Sequence, residues 1–314
     1  MEWLIRGFDW GRRRVDLAML EPSTEQPQTV PRAAPSAHRR TWQTLRKNRS
    51  LVGGGSIVFV ILFAAVFANE LAPYSPNAQN YSAILQGITW QHWLGTDNLG
   101  RDTLARVLMG ARTSMEVTLG AALVGLVIGV PVGIISGFYR GFLDDWLIMR
   151  IVDAIQSFPF LILALVLAAM LGPGIRNAMI AIGIGYIPVF VRTVRGQMIA
   201  ESEKEYVLAA RMTGARDWRI MFLHIFPNIT TPLIVQVTLA AAGGIVAEAS
   251  LSYLGLGAQP PTASWGSMLQ VAQGYLNSAP LLAIVPGVCL VIAVLGFNLL
   301  GDGIQKLWDP KRTD

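Results

Sequence analysis

The sequence has 314 residues, of which 53% are hydrophobic and 14% charged, and its mean hydropathy is +0.46. Soluble domains carry about 25% charged residues, so this composition excludes an ordinary soluble protein and indicates a membrane protein. The net charge of +5 is modest and does not indicate nucleic-acid binding, and the single cysteine, Cys289, excludes a disulfide within the chain.

The first 45 residues are predicted to form a basic tail followed by a linker. Residues 1–21 combine apolar and aromatic side chains with the run Arg12-Arg13-Arg14. This pattern suits either a short helix on an anionic membrane surface or a disordered basic tail. Residues 22–37 contain four prolines among polar residues, which predicts a flexible or extended linker.

Six apolar segments follow, each close to the roughly 20 residues that a transmembrane helix needs. We predict them at about residues 51–68, 114–137, 143–170, 177–197, 230–251 and 279–300. The expected fold is therefore an all-α integral membrane protein with six transmembrane helices. Prolines inside these segments predict kinks or breaks, and they are Pro131, Pro159, Pro188 and Pro286.

The segments divide the chain into four parts. Residues 1–45 form the tail and linker, and residues 46–113 hold the first helix and a long outer loop. Residues 114–302 form a five-helix core with a polar loop at 198–228, and residues 303–314 form a C-terminal tail.

The positions of Lys and Arg predict the orientation. With both termini in the cytoplasm, all but four of the 25 basic residues lie on the cytoplasmic side, as the positive-inside rule requires. The four exceptions are Arg101, Arg106, Arg112 and Arg176.

The most informative stretch is polar and lies between the fourth and fifth apolar segments, at residues 201–219. Ionised side chains cost several kcal/mol in lipid, so this stretch must be a loop in water. Its residues predict a helix over 203–212, a glycine stop at Gly214, and a second helix from Asp217 to Pro227.

This stretch resembles the cytoplasmic "EAA" loop of permease subunits from bacterial ABC importers, and its longer pattern is similar to the peptide/nickel branch of that family. The residues that carry the resemblance are Glu205, Tyr206, Ala209, Ala210, Arg211, Gly214, Ala215 and Pro227. The resemblance implies a coupling helix that docks in a groove on an ATPase subunit. Leu208 stands where the general pattern has a glutamate, so no role of that carboxylate is carried over.

The predicted outer loop, residues 69–113, contains a second string that resembles the N-terminal signature of the C-type permease subunits of this branch. Its residues are Gly95, Thr96, Asp97, Gly100, Arg101 and Asp102. Together with Arg112, these charges and turn residues predict a local ion-pair network that scaffolds the outer vestibule. Contact with a docking binding protein or with substrate is the alternative.

Glu248 is predicted near the outer end of the fifth helix. A carboxylate inside the membrane is a candidate functional group, and the resemblance would place this one near the transport pathway. The alternative is a carboxylate capped by its neighbours at the boundary between lipid and water.

The sequence contains neither a GxxxxGK[ST] phosphate-binding loop nor a zinc-binding pattern, so we expect no catalytic site, metal or cofactor in this chain. The resemblance implies a multi-pass permease of the bacterial cytoplasmic (inner) membrane that forms half of a path for peptides or peptide-like solutes. It implies as partners a second, homologous permease subunit, two ABC ATPase subunits that bind ATP and Mg²⁺, and an extracytoplasmic solute-binding protein. No nucleic-acid partner is expected.

Alternatives remain for the substrate and for the class of protein. Glutathione or a nickel chelate is the alternative substrate. An ATP-independent carrier is the alternative transporter, and a membrane-embedded hydrolase is the alternative enzyme class.

Overall fold

The computed structural model of the protein describes residues 48–308, and this part of the chain is built from helices and loops. The helices are α1 Arg49–Val66, α2 Ala68–Leu71, α3 Thr103–Tyr139, α4 Met149–Gln156, α5 Phe160–Leu171, α6 Ile175–Ser202, α7 Glu205–Met212, α8 Asp217–Arg219, α9 Phe226–Tyr253, α10 Trp265–Ala272 and α11 Leu281–Trp308. Two π-helical turns, Leu143–Ile148 and Ile220–Ile225, precede α4 and α9. The predicted tail and linker of residues 1–45 lie outside the described residues.

The described residues contain five helices that are individually long and apolar enough to cross a membrane, and a bent pair brings the number to six. These are α1, α3, α6, the continuous helix 217–253, and α11, together with the pair 144–156 and 160–171. The predicted class, an all-α membrane protein with six spanning segments, agrees with this architecture.

The third predicted span is not one straight helix. Its two parts, Asp144–Gln156 and Phe160–Leu171, are bent by 89° at the intervening residues. Pro159 stands at the start of the second part, and a proline both lacks a backbone donor and disfavours helical geometry at the residue before it. The other prolines that predicted breaks lie inside uninterrupted helices: Pro131, Pro188 and Pro286.

The first outer loop is shorter than predicted because α3 begins at Thr103, eleven residues before the predicted start of the second span at residue 114. The side chain of Asp102 accepts a hydrogen bond of 2.8 Å from the backbone N–H of Ala105 and so caps the helix. Residues 103–113 were predicted as part of the outer loop, and that prediction is wrong because they form the first turns of α3.

Helices α3 and α6 approach each other closely along a row of glycines at four-residue spacing in α3. A Cβ atom at Gly129 would lie 2.6 Å from the Cβ of Phe190, and one at Gly137 would lie 2.6 Å from the Cβ of Met198. One at Gly133 would lie 2.8 Å from the carbonyl oxygen of Val191. Small residues at this spacing let transmembrane helices pack backbone to backbone.

Contacts between helices show which helix ends lie together at one end of the bundle. The side chain of Asn48, at the start of α1, donates a 2.8 Å hydrogen bond to the carbonyl of Gly303 near the end of α11. Gln305 of α11 lies beside Gln197 of α6 and Asn228 of α9. The start of α1, the end of α6, the start of α9 and the end of α11 therefore share one end of the bundle, which also carries residues 203–225. The start of α3 lies at the opposite end.

The glycine row makes a testable prediction about stability. Gly133→Ala should destabilise the protein by about 1–3 kcal/mol, because the added methyl group overlaps the backbone of α6. Gly196→Ala is the matched control, because nothing lies within 4 Å of a Cβ added there. That exchange should be neutral or stabilising by about 0.5–1 kcal/mol. Thermal unfolding in detergent measures both, and equal midpoints for the two variants would contradict the packing.

Candidate functional site

The segment that connects α6 to α9, residues 203–225, contains the short helix α7, and a glycine follows the end of that helix. Gly214 adopts a positive φ of +78°, which costs a residue with a side chain more than it costs glycine. Its N–H bonds to the carbonyl of Arg211 at 3.0 Å, and the N–H of Ala215 bonds to the carbonyl of Ala210 at 3.1 Å. This pair of bonds is a Schellman motif, so the predicted helix stop at Gly214 is confirmed.

The N-terminal end of α7 is tied to α6 and α9 by a chain of side-chain hydrogen bonds. Glu201 accepts bonds from Lys204 Nζ at 2.6 Å and from the Tyr206 hydroxyl at 2.7 Å. The Tyr206 oxygen in turn accepts a bond of 3.1 Å from the Asn228 amide. Burial and the bond to Glu201 raise the pKa of Tyr206 above its usual value, so this hydroxyl stays a donor at neutral pH. Val207 is fully buried beneath these groups.

The opposite face of α7 is apolar and exposed. Leu208 is 53% exposed and Met212, four residues on, is 89% exposed. Residues four apart lie on one face of a helix, and Ala209 is exposed beside them. Trp218, just after the helix, is 56% exposed. An exposed apolar surface on a polar loop is typical of a protein interaction site.

The segment also contacts the end of α3. The guanidinium carbon of Arg211 lies 5.4 Å from the centre of the Phe138 ring, within the range of a cation–π contact. Arg140 bonds to Glu203 at 3.1 Å and to the carbonyl of Ile199 at 3.0 Å. Helix α7 is thus held against α3, α6 and α9 at once.

The predicted second helix of the segment does not end at Pro227. Helix α8 passes through the π-helical turn Ile220–Ile225 straight into α9, and residues 217–253 form one continuous helix of 37 residues. Pro227 lies inside this continuous helix, two residues after the π-helical turn, and does not end it. The prediction that the second helix runs only to Pro227 is therefore wrong.

The outer-loop signature forms a buried network around Asp97. This carboxylate accepts hydrogen bonds from Arg101 Nε at 2.7 Å and from the backbone N–H of Leu99 at 2.9 Å. The Nε of Arg106 lies 3.4 Å from the same side chain. The prediction placed Arg112 in this network, but that side chain is exposed on α3 and Arg106 takes the place. Helical periodicity explains the difference, because Arg106 and Arg112 lie on different faces of α3.

The other signature residues fix the fold of the loop. Gly95 and Gly100 have φ values of +75° and +70°, and a Cβ atom at Gly100 would lie 1.8 Å from the carbonyl oxygen of Asn80. The Thr96 hydroxyl donates to the carbonyl of Ala83, and the Asp102 carboxylate lies 2.8 Å from His92 Nδ1. Because these side chains are directed at one another, the geometry favours a scaffold over contact with a second protein.

Glu248 is 1% exposed and joins three helices. It accepts hydrogen bonds from the hydroxyls of Ser114 at 2.8 Å and Ser252 at 2.7 Å. The Ser114 oxygen also accepts a 3.3 Å bond from the backbone N–H of Trp265. Neighbours do cap this carboxylate, but they hold it in the interior between α3, α9 and α10 and not on a lipid-facing surface.

Two polar features were missed from the sequence. The buried Asp144 carboxylate accepts a 3.0 Å hydrogen bond from Arg195 Nε, which joins the start of the bent helix pair to α6. A cavity of about 460 Å³ lies between α6, α9 and α11 and is lined mainly by amide and hydroxyl side chains. The signal for both was present as isolated polar residues within apolar segments, among them Gln197 and Gln236.

Comparison with known proteins defines the class. The family described as "Binding-protein-dependent transport system inner membrane component" matches residues 129–314. A second family, "N-terminal TM domain of oligopeptide transport permease C", matches residues 36–87. The chain belongs to the family of binding-protein-dependent transport system inner membrane components, and the resemblance to permease subunits of ABC importers is confirmed.

Named relatives narrow the class further. The chain is 41% identical to the glutathione transport system permease protein GsiD of Salmonella typhimurium, over 98% of this chain and 99% of that protein. It is 45% identical to the dipeptide transport system permease protein DppC of Escherichia coli K12, over 86% and 92% of the two chains. It is 40% identical to DppC of Alkalihalophilus pseudofirmus, over 93% and 95%.

Solved structures agree on the fold. A chain of the MetNI methionine ABC transporter, in an inward facing conformation, superposes with a TM-score of 0.55 at 21% identity. The match covers 64% of this chain and 96% of that chain. The shared fold is that of a type I ABC importer permease.

The Asp97 network predicts a large loss of stability on substitution. Asp97→Ala should cost about 3–5 kcal/mol, because it leaves the buried Arg101 and Arg106 without their counter-charge. Asp153→Ala removes a half-exposed partner of Arg192 and should cost less than about 1 kcal/mol. The yield of folded protein and the thermal midpoint in detergent compare the two. Similar stability of both variants would show that the network is not a scaffold.

The Glu248 cluster predicts a smaller effect that depends on hydrogen bonding. Glu248→Leu should destabilise the protein by about 1–3 kcal/mol, because the hydroxyls of Ser114 and Ser252 lose their acceptor. Glu248→Gln keeps an acceptor oxygen and should cost less. Glu116→Leu, at an exposed position of α3, serves as the control in the same unfolding assay. If Glu248→Leu unfolds at the wild-type temperature, the carboxylate does not hold the three helices together.

Proposed function

We propose that this chain forms half of the translocation path of an ATP-driven importer for peptides or peptide-like solutes. One observation carries the proposal above all: helix α7 presents an apolar face to solvent and is anchored on its other face to two membrane-spanning helices. A surface of this kind can receive force from a partner and pass it to the path.

The anchoring defines how coupling would work. Movement of a partner bound at Leu208 and Met212 would be transmitted through Tyr206 to Glu201 at the end of α6 and to Asn228 at the start of α9. Both helices are spanning segments. A ligand or nucleotide shifts a two-state equilibrium only through different affinities for the two states, so ATP binding must favour one position of α7 relative to α6 and α9 over the other.

Membership of the family supports the remaining parts of the proposed complex. The partner at α7 is one of two ABC ATPase subunits, which bind the ATP and Mg²⁺ that this chain has no motif to bind. A second, homologous permease subunit completes the path, and an extracytoplasmic binding protein delivers the solute. The complex lies in the bacterial cytoplasmic membrane, and the bias of Lys and Arg supports a cytoplasmic position for α7 and both termini.

Glutathione is the second candidate substrate, and a specific observation favours it. The GsiD relative covers nearly the whole chain, whereas the DppC relative from Escherichia coli has the higher identity over a shorter stretch. Glutathione is itself a tripeptide, so both readings place a small peptide in the path. A nickel chelate is supported only by the breadth of the branch that the sequence resembles.

A charge placed on the exposed face of α7 tests this function. Met212→Asp should leave the chain folded, because the side chain is 89% exposed, yet it should reduce ATPase copurification and ATP-driven peptide uptake at least about tenfold. Trp90→Asp is the control, since that side chain is 97% exposed in the outer loop and should retain the ATPase. Quantitative mass spectrometry of the purified complex and uptake into proteoliposomes provide the readouts. Full ATPase recovery and uptake with Met212→Asp would refute coupling through α7.

A further inference from the structure

The cavity between α6, α9 and α11 has both polar and apolar lining and lies at the end of the bundle that carries α7. Its volume is about 460 Å³. Five of its lining residues carry amide or hydroxyl groups, and they are Gln197, Asn228, Thr231, Gln236 and Gln305. Pro232 and Val235 complete the lining, so no charged side chain is among the residues that line the cavity.

The cavity extends well into the spanning region. Gln236 lies six residues beyond the start of the predicted fifth span at residue 230, which at 1.5 Å per residue is about 9 Å along the helix. That distance is roughly a third of the thickness of the hydrocarbon core. A polar amide at this depth is costly in lipid, and such groups face the bundle interior or a water-filled cavity.

The amides at this depth are only lightly engaged within the protein. Gln236 accepts one long hydrogen bond, 3.4 Å, from the hydroxyl of Thr193. The residue lines the cavity, and its carboxamide offers two donors and an acceptor, of which this bond uses only the acceptor. The lining thus presents both donors and acceptors without net charge.

The cavity is also connected to the coupling segment. Asn228 lines the cavity, and its amide donates to the hydroxyl of Tyr206 at 3.1 Å and to the carbonyl of His224 at 2.8 Å. One residue of the wall therefore touches both the cavity and α7. A solute in the cavity and a movement of α7 would therefore both act on the hydrogen bond between Asn228 and Tyr206.

We propose that this cavity is a solute-contact site that recognises the peptide backbone through neutral amides, with Gln197, Gln236 and Gln305 as the binding side chains. The proposal rests on the function proposed above and names the residues of this chain that meet the solute. A peptide bond presents one donor and one acceptor, which matches the carboxamide of glutamine. Because the lining is uncharged, binding is insensitive to the charge of the solute's side chains.

Substrate protection of a cysteine tests the proposal directly. Cys289, the single cysteine, is replaced by serine, and Gln236→Cys is introduced into the chain within its full transport complex. Dipeptides with acidic, basic and apolar side chains should each slow maleimide labelling of position 236 at least about threefold, whereas maltose should not. Gln270→Cys, exposed at the opposite end of the bundle, is the control and should label at the same rate with and without peptide.

The KM of peptide uptake is measured in the same complex as a second test of the site. Gln236→Leu should raise the KM for uptake of all three dipeptides about tenfold, while the amount of ATPase that copurifies stays at the wild-type level. Absence of protection at position 236, or protection by maltose equal to that by peptides, would overturn the proposed site. Peptide uptake by wild type that needs no ATP would instead overturn the proposed importer function, and protection at position 236 would still report on the cavity.

Discussion

The close approach of α3 and α6 is the constraint on which the rest of the structure depends. Glycines at four-residue spacing remove the side chains that would separate the two backbones, and α6 fills the space with Phe190, Val194 and Met198. This contact fixes the end of α3 beside the end of α6. The Asp144–Arg195 pair and the bonds of Arg140 can form only because those two ends are adjacent.

The two ends of the packed helices α3 and α6 differ in what surrounds them. At one end, Asp102 caps α3 and the Asp97 network packs the outer loop onto the helix start. At the other end, α7 lies against α3, α6 and α9 with its apolar face free. The end that is packed by the Asp97 network is suited to rigidity, whereas the end that exposes Leu208 and Met212 is suited to a partner. The amide-lined cavity opens beside the second end, so the proposed solute site and the proposed coupling surface are neighbours.

Much of this architecture was predictable from the sequence because the determinants are local. Apolar length alone predicts the spanning segments, and a glycine in a polar loop predicts the end of α7 through the one backbone conformation that glycine adopts cheaply. The positions at which helices break were harder to predict. Pro159 interrupts its helix whereas Pro131 and Pro188 do not, and that difference depends on how neighbouring helices satisfy the freed carbonyls. The same limit explains why Pro227 was read as a stop.

The clusters of interacting side chains could not be predicted from the sequence, because their members come together only in the folded structure. Arg106 and not Arg112 reaches Asp97 because the two arginines lie on different faces of α3, and residues 103–113 were not predicted to be helical. Glu248 meets Ser114 across 134 positions of the chain, and no sequence pattern signals that meeting. Glutamines within apolar segments signalled polar surroundings, but only the packing of α6, α9 and α11 shows that they face one cavity.

Photo-crosslinking from α7 in intact membranes tests most directly whether this helix contacts an ATPase subunit. A photoreactive amino acid at position 212 reports which molecule lies against the exposed face. Coupling through α7 predicts a covalent adduct with an ATPase subunit, whose yield changes between the ATP-bound and ATP-free states. Adducts with lipid alone, or no adduct with any ATPase in either state, would contradict it.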